Sequence, residues 1–235
     1  MGKYIHYFAT EAEFNEAIAN NYSIPWVSYT EGVSVDFNQP LFVDLGLPSG
    51  ILWATMNVGA KGLYDRGDTY KWGGITPQSN LNDDYRFGTA APYTKYNPTD
   101  GQRFLDFEDD IANIEWGDRR PTMWHAVEMP SSEDCQELLV NTTQMADRDK
   151  NITIFTSNVN GESIIFPGSD ARVGFVANPY FCIWTKEINT AYSTYGIAYA
   201  FGTYDDSGSY YLDIRSSVGR ASCLNVRPVA KLMEK

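Results

Sequence analysis

From residue 151 to the C-terminus the chain is written in short apolar runs with a period of two, a pattern that commits this half to β-structure. ITIFTSNVNGESIIF at 152–166 is a pair of apolar-rich strands around Asn160-Gly161, a strong short-range hairpin signal. Residues 168–178 read as a loop and YFCIW at 180–184 as a buried strand. The stretches 195–204 and 208–214 alternate as strands, and 222–229 returns as a last strand.

The earlier half carries the helices. DFEDDIANIE at 106–115 predicts one, with early acids suited to the helix dipole. In SSEDCQELLVN, Ser131 or Ser132 caps a second, and Cys135, Leu138 and Leu139 form its apolar stripe. Two short strands at 42–45 and 51–54 flank the turn Pro48-Ser49-Gly50, and the polar stretch 76–103 lacks periodicity and reads as loop. Two helices with a β-rich C-terminal half make an α+β chain.

Residues 1–40 differ. Thr10 and Glu13 form a capping box for a helix over 10–20, and the alternation after Pro25 predicts a hairpin. Such an appendage is too small to stand alone, so it packs on the main domain, 41–235, or joins neighbouring copies into a homo-oligomer, with Trp26 and Tyr29 as candidate contacts.

The net charge of −12 argues against nucleic acid and anionic membrane surfaces, which need clustered Lys and Arg. No apolar run approaches a membrane span, and the N-terminal residues lack the apolar core of a secretory signal. Cys135, Cys182 and Cys223 are too widely spaced for a CxxC metal site and odd in number; they read as small buried hydrophobes, with a Cys182–Cys223 pair as the alternative.

Residues 190–222 contain six Tyr and six Ser and no Lys, Glu, Gln, Met, Trp or His. That mixture suits a contact surface, since Tyr offers large amphipathic area at low entropic cost while Ser and Gly adapt. Period-two alternation predicts one exposed face made of Tyr192, Thr194, Tyr195, Tyr210, Tyr211, Asp213, Arg215, Ser217, Ala221 and Ser222. Ala198, Phe201, Leu212, Ile214 and Leu224 are expected to point into the core.

Several motifs occur in order across residues 41–229: DLGLPSGILWATMNVGA at 44–60, GDTYKWGG at 67–74, WGD at 116–118, MPSSEDCQELL at 129–139 and VRPV at 226–229. Together they resemble the Fibrobacter succinogenes major paralogous domain. Trp184-Thr185-Lys186 and Cys223 depart from that family's Trp-Ser-Ser and Gly, and the longer stretch 117–128 predicts an extra loop. The resemblance implies a C-type-lectin-like fold. It also implies kinship with the variable proteins of diversity-generating retroelements, in which adenine-directed mutagenesis rewrites a C-terminal segment, here about 185–222. The residue types at 190–222 are those such codons reach. The expected role is non-enzymatic, cofactor-free binding of a protein or glycan receptor on a cell surface, on a phage virion as a tail component or at a bacterial surface.

Other chemistries were weighed. His125 and Cys135 form a possible nucleophile and base, though Cys135 falls on the expected buried stripe. The acidic pairs Asp83-Asp84, Asp109-Asp110 and Asp205-Asp206 fit no calcium-loop pattern and read as solvated loops. Trp53, Trp72, Trp116 and Trp184 read as core, whereas Trp124 stays open for carbohydrate stacking. The alternatives are a bacterial surface carbohydrate-binding module, or an oxidase like the formylglycine-generating enzymes. The latter would need a reactive cysteine pair, for which only Cys223 and Cys182 are placed.

Overall fold

The computed structural model describes residues 41–79, 85–147, 149–168, 181–191, 195–206 and 209–233. The expected helix at 10–20, the hairpin after Pro25 and most of the loop at 168–178 lie outside them. The described chain is mixed α+β and β-rich, with two short α-helices. No helix among these residues is long and apolar enough to cross a membrane.

Strands β1 (Phe42–Asp44) and β2 (Leu52–Ala54) pair antiparallel around a turn closed by the Gly50 N–H on Leu47 O at 2.9 Å. Gly50 sits at φ 71°, a conformation that glycine adopts without a Cβ penalty. Strand β3 (Thr69–Tyr70) follows. The single helix expected over 106–115 is instead a 3₁₀ turn, Phe107–Asp109, and a separate α1 (Ile111–Trp116). Asp110 breaks it: its backbone is extended, and its carboxylate accepts the N–H groups of Ala112 and Asn113 as a cap and of Met129 at 2.7 Å.

Residues 117–128, expected as an added loop, end in β4 (His125–Glu128), which pairs with β12 (Val229–Leu232). Helix α2 (Ser132–Asn141) begins with a full capping box, Ser131 and Asp134 each bonding the other's backbone. Cys135 and Leu138 are buried beneath it and Leu139 is partly so. Ser49 bonds Glu137 of α2 through both its N–H (2.8 Å) and its Oγ (2.5 Å), tying the β1–β2 turn to this helix.

Strands β5 (Thr142–Asp147), β6 (Ile152–Ser157) and β7 (Ser163–Pro167) form an antiparallel sheet. β5 has no alternating pattern, and the sequence does not announce it. The β6–β7 connection spans residues 158–162 rather than two, because Ser157 Oγ accepts the N–H groups of Val159 and Asn160 and widens the turn before Gly161.

β8 (Cys182–Ile188), β9 (Ile197–Asp206), β10 (Ser209–Gly219) and β11 (Leu224–Asn225) join β3 in a sheet of order β10-β9-β8-β11-β3. A third sheet runs β1-β2-β12-β4. The last strand expected at 222–229 is therefore two strands in two sheets. Arg227 and Pro228 redirect the chain between them. The Arg227 guanidinium, fully buried, donates to Asn57 Oδ1 (2.7 Å), Ala54 O (2.8 Å) and Ile165 O (2.8 Å) and lies 4.4 Å from the Phe166 ring centre. Burial lowers its pKa to about 9, which still leaves it charged at neutral pH.

Adjacent residues of the central strands serve two different cores. Phe42, Ala54, Trp184, Ala200 and Ala230 enter one, built around Trp72, Trp116 and Tyr96. Their neighbours Val43, Trp53, Ile183, Phe201 and Val229 enter the other, built around Phe155, Phe166, Phe181 and Leu138. Both faces of these strands are covered, which explains their nearly continuous apolar runs. Trp72 and Trp184 also spend their ring N–H groups on Thr185 O (3.0 Å) and Tyr70 O (2.7 Å). Trp184→Ala and Phe166→Ala are each expected to cost about 3–5 kcal/mol in chemical denaturation, one from each core; a loss below about 1 kcal/mol in either would show that the core collapses around the void.

Candidate ligand-binding surface

The Tyr/Ser-rich segment becomes a long ribbon, β9 and β10, at the edge of the five-stranded sheet. Of the ten residues expected on one face, Tyr192 and Thr194 lie outside the described residues. Tyr210, Tyr211, Asp213, Arg215 and Ser217 fall on β10, Tyr195 precedes β9, and Ala221 and Ser222 occupy the turn after β10, closed by the Ser222 N–H on Gly219 O at 2.8 Å.

The register from Ser209 to Arg215 is unbroken, so positions 211, 213 and 215 alternate with 210, 212 and 214. Asp213 is exposed, while Leu212 and Ile214 pack partly buried against the second core. The expectation set Tyr210 and Tyr211 on one face, but the period of two puts position 210 in phase with Leu212 and Ile214. Between Arg215 and Val218 the ladder slips, and this bulge re-aims the chain after Arg215. Tyr195, at φ 50°, is half-buried against the first core, and Ala221 and Ser222 are half-buried. The candidates thus run along β10 from 210 and 211 toward the ribbon's tip, through 213 and 215, to 217 and the turn residues 195, 221 and 222 at its base, with about 20 Å of extended strand from 211 to 217. Ala198, Phe201 and Leu224 are fully buried as expected, but on opposite faces: Ala198 and Leu224 enter the first core and Phe201, three residues along β9, enters the second.

Two buried residues that the sequence does not single out hold the base. Asn189 donates from Nδ2 to Ser216 O in the bulge at 2.7 Å, accepts the Ala191 N–H at Oδ1 (3.0 Å), and bonds Ile197 O through its own N–H. The 189–197 turn is thereby tied to the bulge. Arg220, fully buried, donates from Nε to the Tyr85 hydroxyl at 2.7 Å and from its terminal nitrogens to Tyr96 O (2.9 Å), Lys95 O (3.2 Å) and Tyr195 O (3.3 Å). The rings of Tyr93, Trp72, Tyr85 and Phe87 surround its guanidinium with centres 4.3 to 5.3 Å away. Hydrogen bonds to carbonyls and a hydroxyl, together with π-faces, make up for water, and no carboxylate among the described residues pairs with the group. Burial pushes the Tyr85 phenol well above its usual range, with Arg220 pulling the other way, so the hydroxyl stays neutral and accepts.

Asp109 and Asp110, expected in a solvated loop, are instead buried, Asp110 as the cap of α1 and Asp109 in an ion-pair cluster. Carboxylate oxygens of Asp106, Glu108 and Asp109 lie within 4.8 Å of one another, and Lys95 Nζ sits among them at 2.7, 3.2 and 2.6 Å. Burial would lower the Lys95 pKa, but these bonds outweigh it and hold the ammonium above its usual range. Asp109 also accepts the Tyr96 hydroxyl at 2.6 Å and faces Arg86 at 2.6 Å, the latter an ion pair without an aligned hydrogen bond. The 85–109 loop is thus pinned by a lysine where a cation site would need open ligands. Of the other acidic pairs, Asp83 and Asp84 lie outside the described residues.

His125 Nδ1 meets Thr122 Oγ1 at 2.7 Å, and Cys135 is fully buried, its thiol pushed well up by that burial. No disulfide joins any of Cys135, Cys182 and Cys223. Trp53, Trp72, Trp116 and Trp184 are buried, whereas Trp124 is 58% exposed. Compared with protein families, with curated proteins and with solved structures, the chain matches none.

Arg220→Lys is expected to lower unfolding stability by at least about 2 kcal/mol, because one ammonium cannot meet four divergent acceptors that a guanidinium reaches; a melting curve that overlays the unsubstituted protein would remove Arg220 as the anchor. Burial lowers the His125 pKa. Below its ordinary value near 6.5 the unfolded chain takes up the proton first, so this residue's share of stability is complete above that pH and is lost as pH falls. In an NMR titration its imidazole resonances should turn below pH 6.5; a midpoint at or above 6.5 contradicts the burial argument.

Proposed function

We propose that the chain is a non-enzymatic ligand-binding protein whose β9–β10 ribbon and adjoining turns display an exchangeable Tyr/Ser-rich surface to a protein or glycan receptor. The observation that carries this reading is the contrast within one segment. Residues 190–222 are restricted to Tyr, Ser, Asp, Gly, Ala, Thr, Arg, Ile, Val, Leu and Phe. Yet their buried members, Ala198, Ala200, Phe201, Val218 and Arg220, anchor the ribbon in both cores and leave Asp213 and Ser216 exposed on its outer strand. A surface that changes by substitution needs such a division of labour. The family resemblance supports the same reading, with a C-type-lectin-like scaffold and a retroelement variable protein, borne as a receptor-binding component on a phage tail. The oxidase alternative would have to draw its cysteine pair from Cys182, which is buried, and the half-buried Cys223.

Replacing Tyr211, Asp213 and Arg215 together by Ala should abolish adhesion of the fluorescently labelled protein to intact bacterial cells from a panel, while moving stability by no more than about 0.5 kcal/mol per site. Adhesion that survives the triple change, or a melting loss as large as that of Trp184→Ala, counts against a binding role for the ribbon. A near-repeat of the codons for 185–229 beside a reverse-transcriptase gene, differing mainly at adenines, is the genomic result expected, and copper-dependent thiol oxidation by the purified protein would favour the enzyme.

A further inference from the structure

An edge strand offers its outer backbone groups to any extended chain, and folded proteins close such edges with charge, proline, bulges or cover. Here the edge strand β3 is covered by Gln78, whose N–H bonds Thr69 O at 2.8 Å. β10 carries a bulge, the exposed Asp213 and the Asn189 bond to Ser216 O. On β7, Arg227 caps Ile165 O. Among the described residues β5 is the least protected of these edges: from Thr142 to Ala146 it holds no charge, proline or bulge, its only side-chain cap is its own Gln144 on Thr142 O, and Thr143, Gln144, Met145 and Ala146 are all exposed.

Its free side can be assigned. The Asn158 N–H bonds Asn141 O at 2.9 Å, and the Ser157 N–H bonds Glu162 O at 2.8 Å on the opposite side of β6. Antiparallel ladders alternate, so residues 143, 145 and 147 address β6 while the N–H and C=O groups of 144 and 146 turn outward. Only Thr142 O on that side is engaged within the strand, by Gln144 Nε2 at 2.5 Å.

We propose that β5 is a self-association edge on which two copies of this chain pair antiparallel about a two-fold axis, Gln144 opposite the second copy's Gln144. Charge selects the occupant. Two chains of net charge −12 repel, and like charges set opposite one another on paired strands are destabilising, so copies can meet only along a neutral strip. β5 is such a strip, and the acid at its end, Asp147, is paired with Lys150 at 3.4 Å. A basic peptide drawn to the acidic chain would find no carboxylate along residues 142–146. The two-fold sets Thr143 against Met145 and Thr142 against Ala146, pairs that fit a pleated surface, with the exposed Met145 adding apolar area beside the axis. The pairing does not depend on what the β9–β10 ribbon binds.

Sedimentation of the full chain should show a concentration-dependent monomer–dimer equilibrium. Ala146→Pro deletes an outward N–H without touching the β5–β6 ladder, and Met145→Glu sets new carboxylates across the axis. Each should weaken dimerisation at least tenfold with far-UV circular dichroism and melting close to those of the unsubstituted chain. Gln144→Cys should form a covalent dimer on oxidation, since facing residues of such a pair lie about 5.5 Å apart, within disulfide reach, whereas Ser163→Cys on β7 should not. If Ala146→Pro fails to fold, Met145→Glu and the cross-link decide. A monomer at every concentration, a dimer that resists both substitutions, or cross-linking no faster at 144 than at 163 would overturn the proposal.

Discussion

A single buried guanidinium holds together the parts of this protein that are far apart in sequence. Arg220 reaches the 85–96 loop through Tyr85, Lys95 and Tyr96 and the start of β9 through Tyr195 O, and its N–H bonds Gly196 O at 3.1 Å. An unpaired cation in an apolar interior would be prohibitively costly, and the solution here is a shell of carbonyls and ring faces instead of a carboxylate. The arrangement is directional, since each acceptor has one compatible position around a planar fork. Loss of any wall, Tyr93 included, would leave the charge partly unserved.

Arg227 repeats the scheme for the other core, with Asn57, Ala54, Ile165 and Phe166 as its shell. The two arginines flank β11 in sequence, and Arg227 stands where the chain leaves one sheet for another. The sheets are therefore joined by polar bonds of fixed geometry as well as by apolar packing. The surface network of Lys186, Lys231, Glu128 and Asp134, with contacts of 2.5 to 3.4 Å, adds a less buried version of the same tie between β8, β12, β4 and α2.

What the sequence made legible follows local physics. The Ser131 cap of α2, the β1–β2 turn and the strand character of 152–157, 163–166, 197–204 and 209–214 rest on neighbouring residues and appear as expected. Features that depend on distant partners did not. Asp110 splits a helix because Met129, far along the chain, supplies a donor. β12 separates from β11 because Arg227 finds its acceptors on β7, beside β2 and at Asn57. β5 has no amphipathic signature because neither of its faces is buried over 143–146. On the candidate surface, composition pointed to the ribbon, but Asn189 and Arg220, which fix its base, look in sequence like any other polar residues of a loop.

The interleaving of two cores along single strands carries a consequence for how this protein can vary through descent. Ala200 and Phe201 stand next to each other on β9 and belong to opposite cores, as do Ile183 and Trp184 on β8. Adding or deleting one residue upstream within either strand would exchange a tryptophan or phenylalanine for a small side chain in both interiors at once. Divergence within β8 and β9 is thus confined to replacement at constant length. A lineage of such chains should drift freely in letters and hardly at all in spacing.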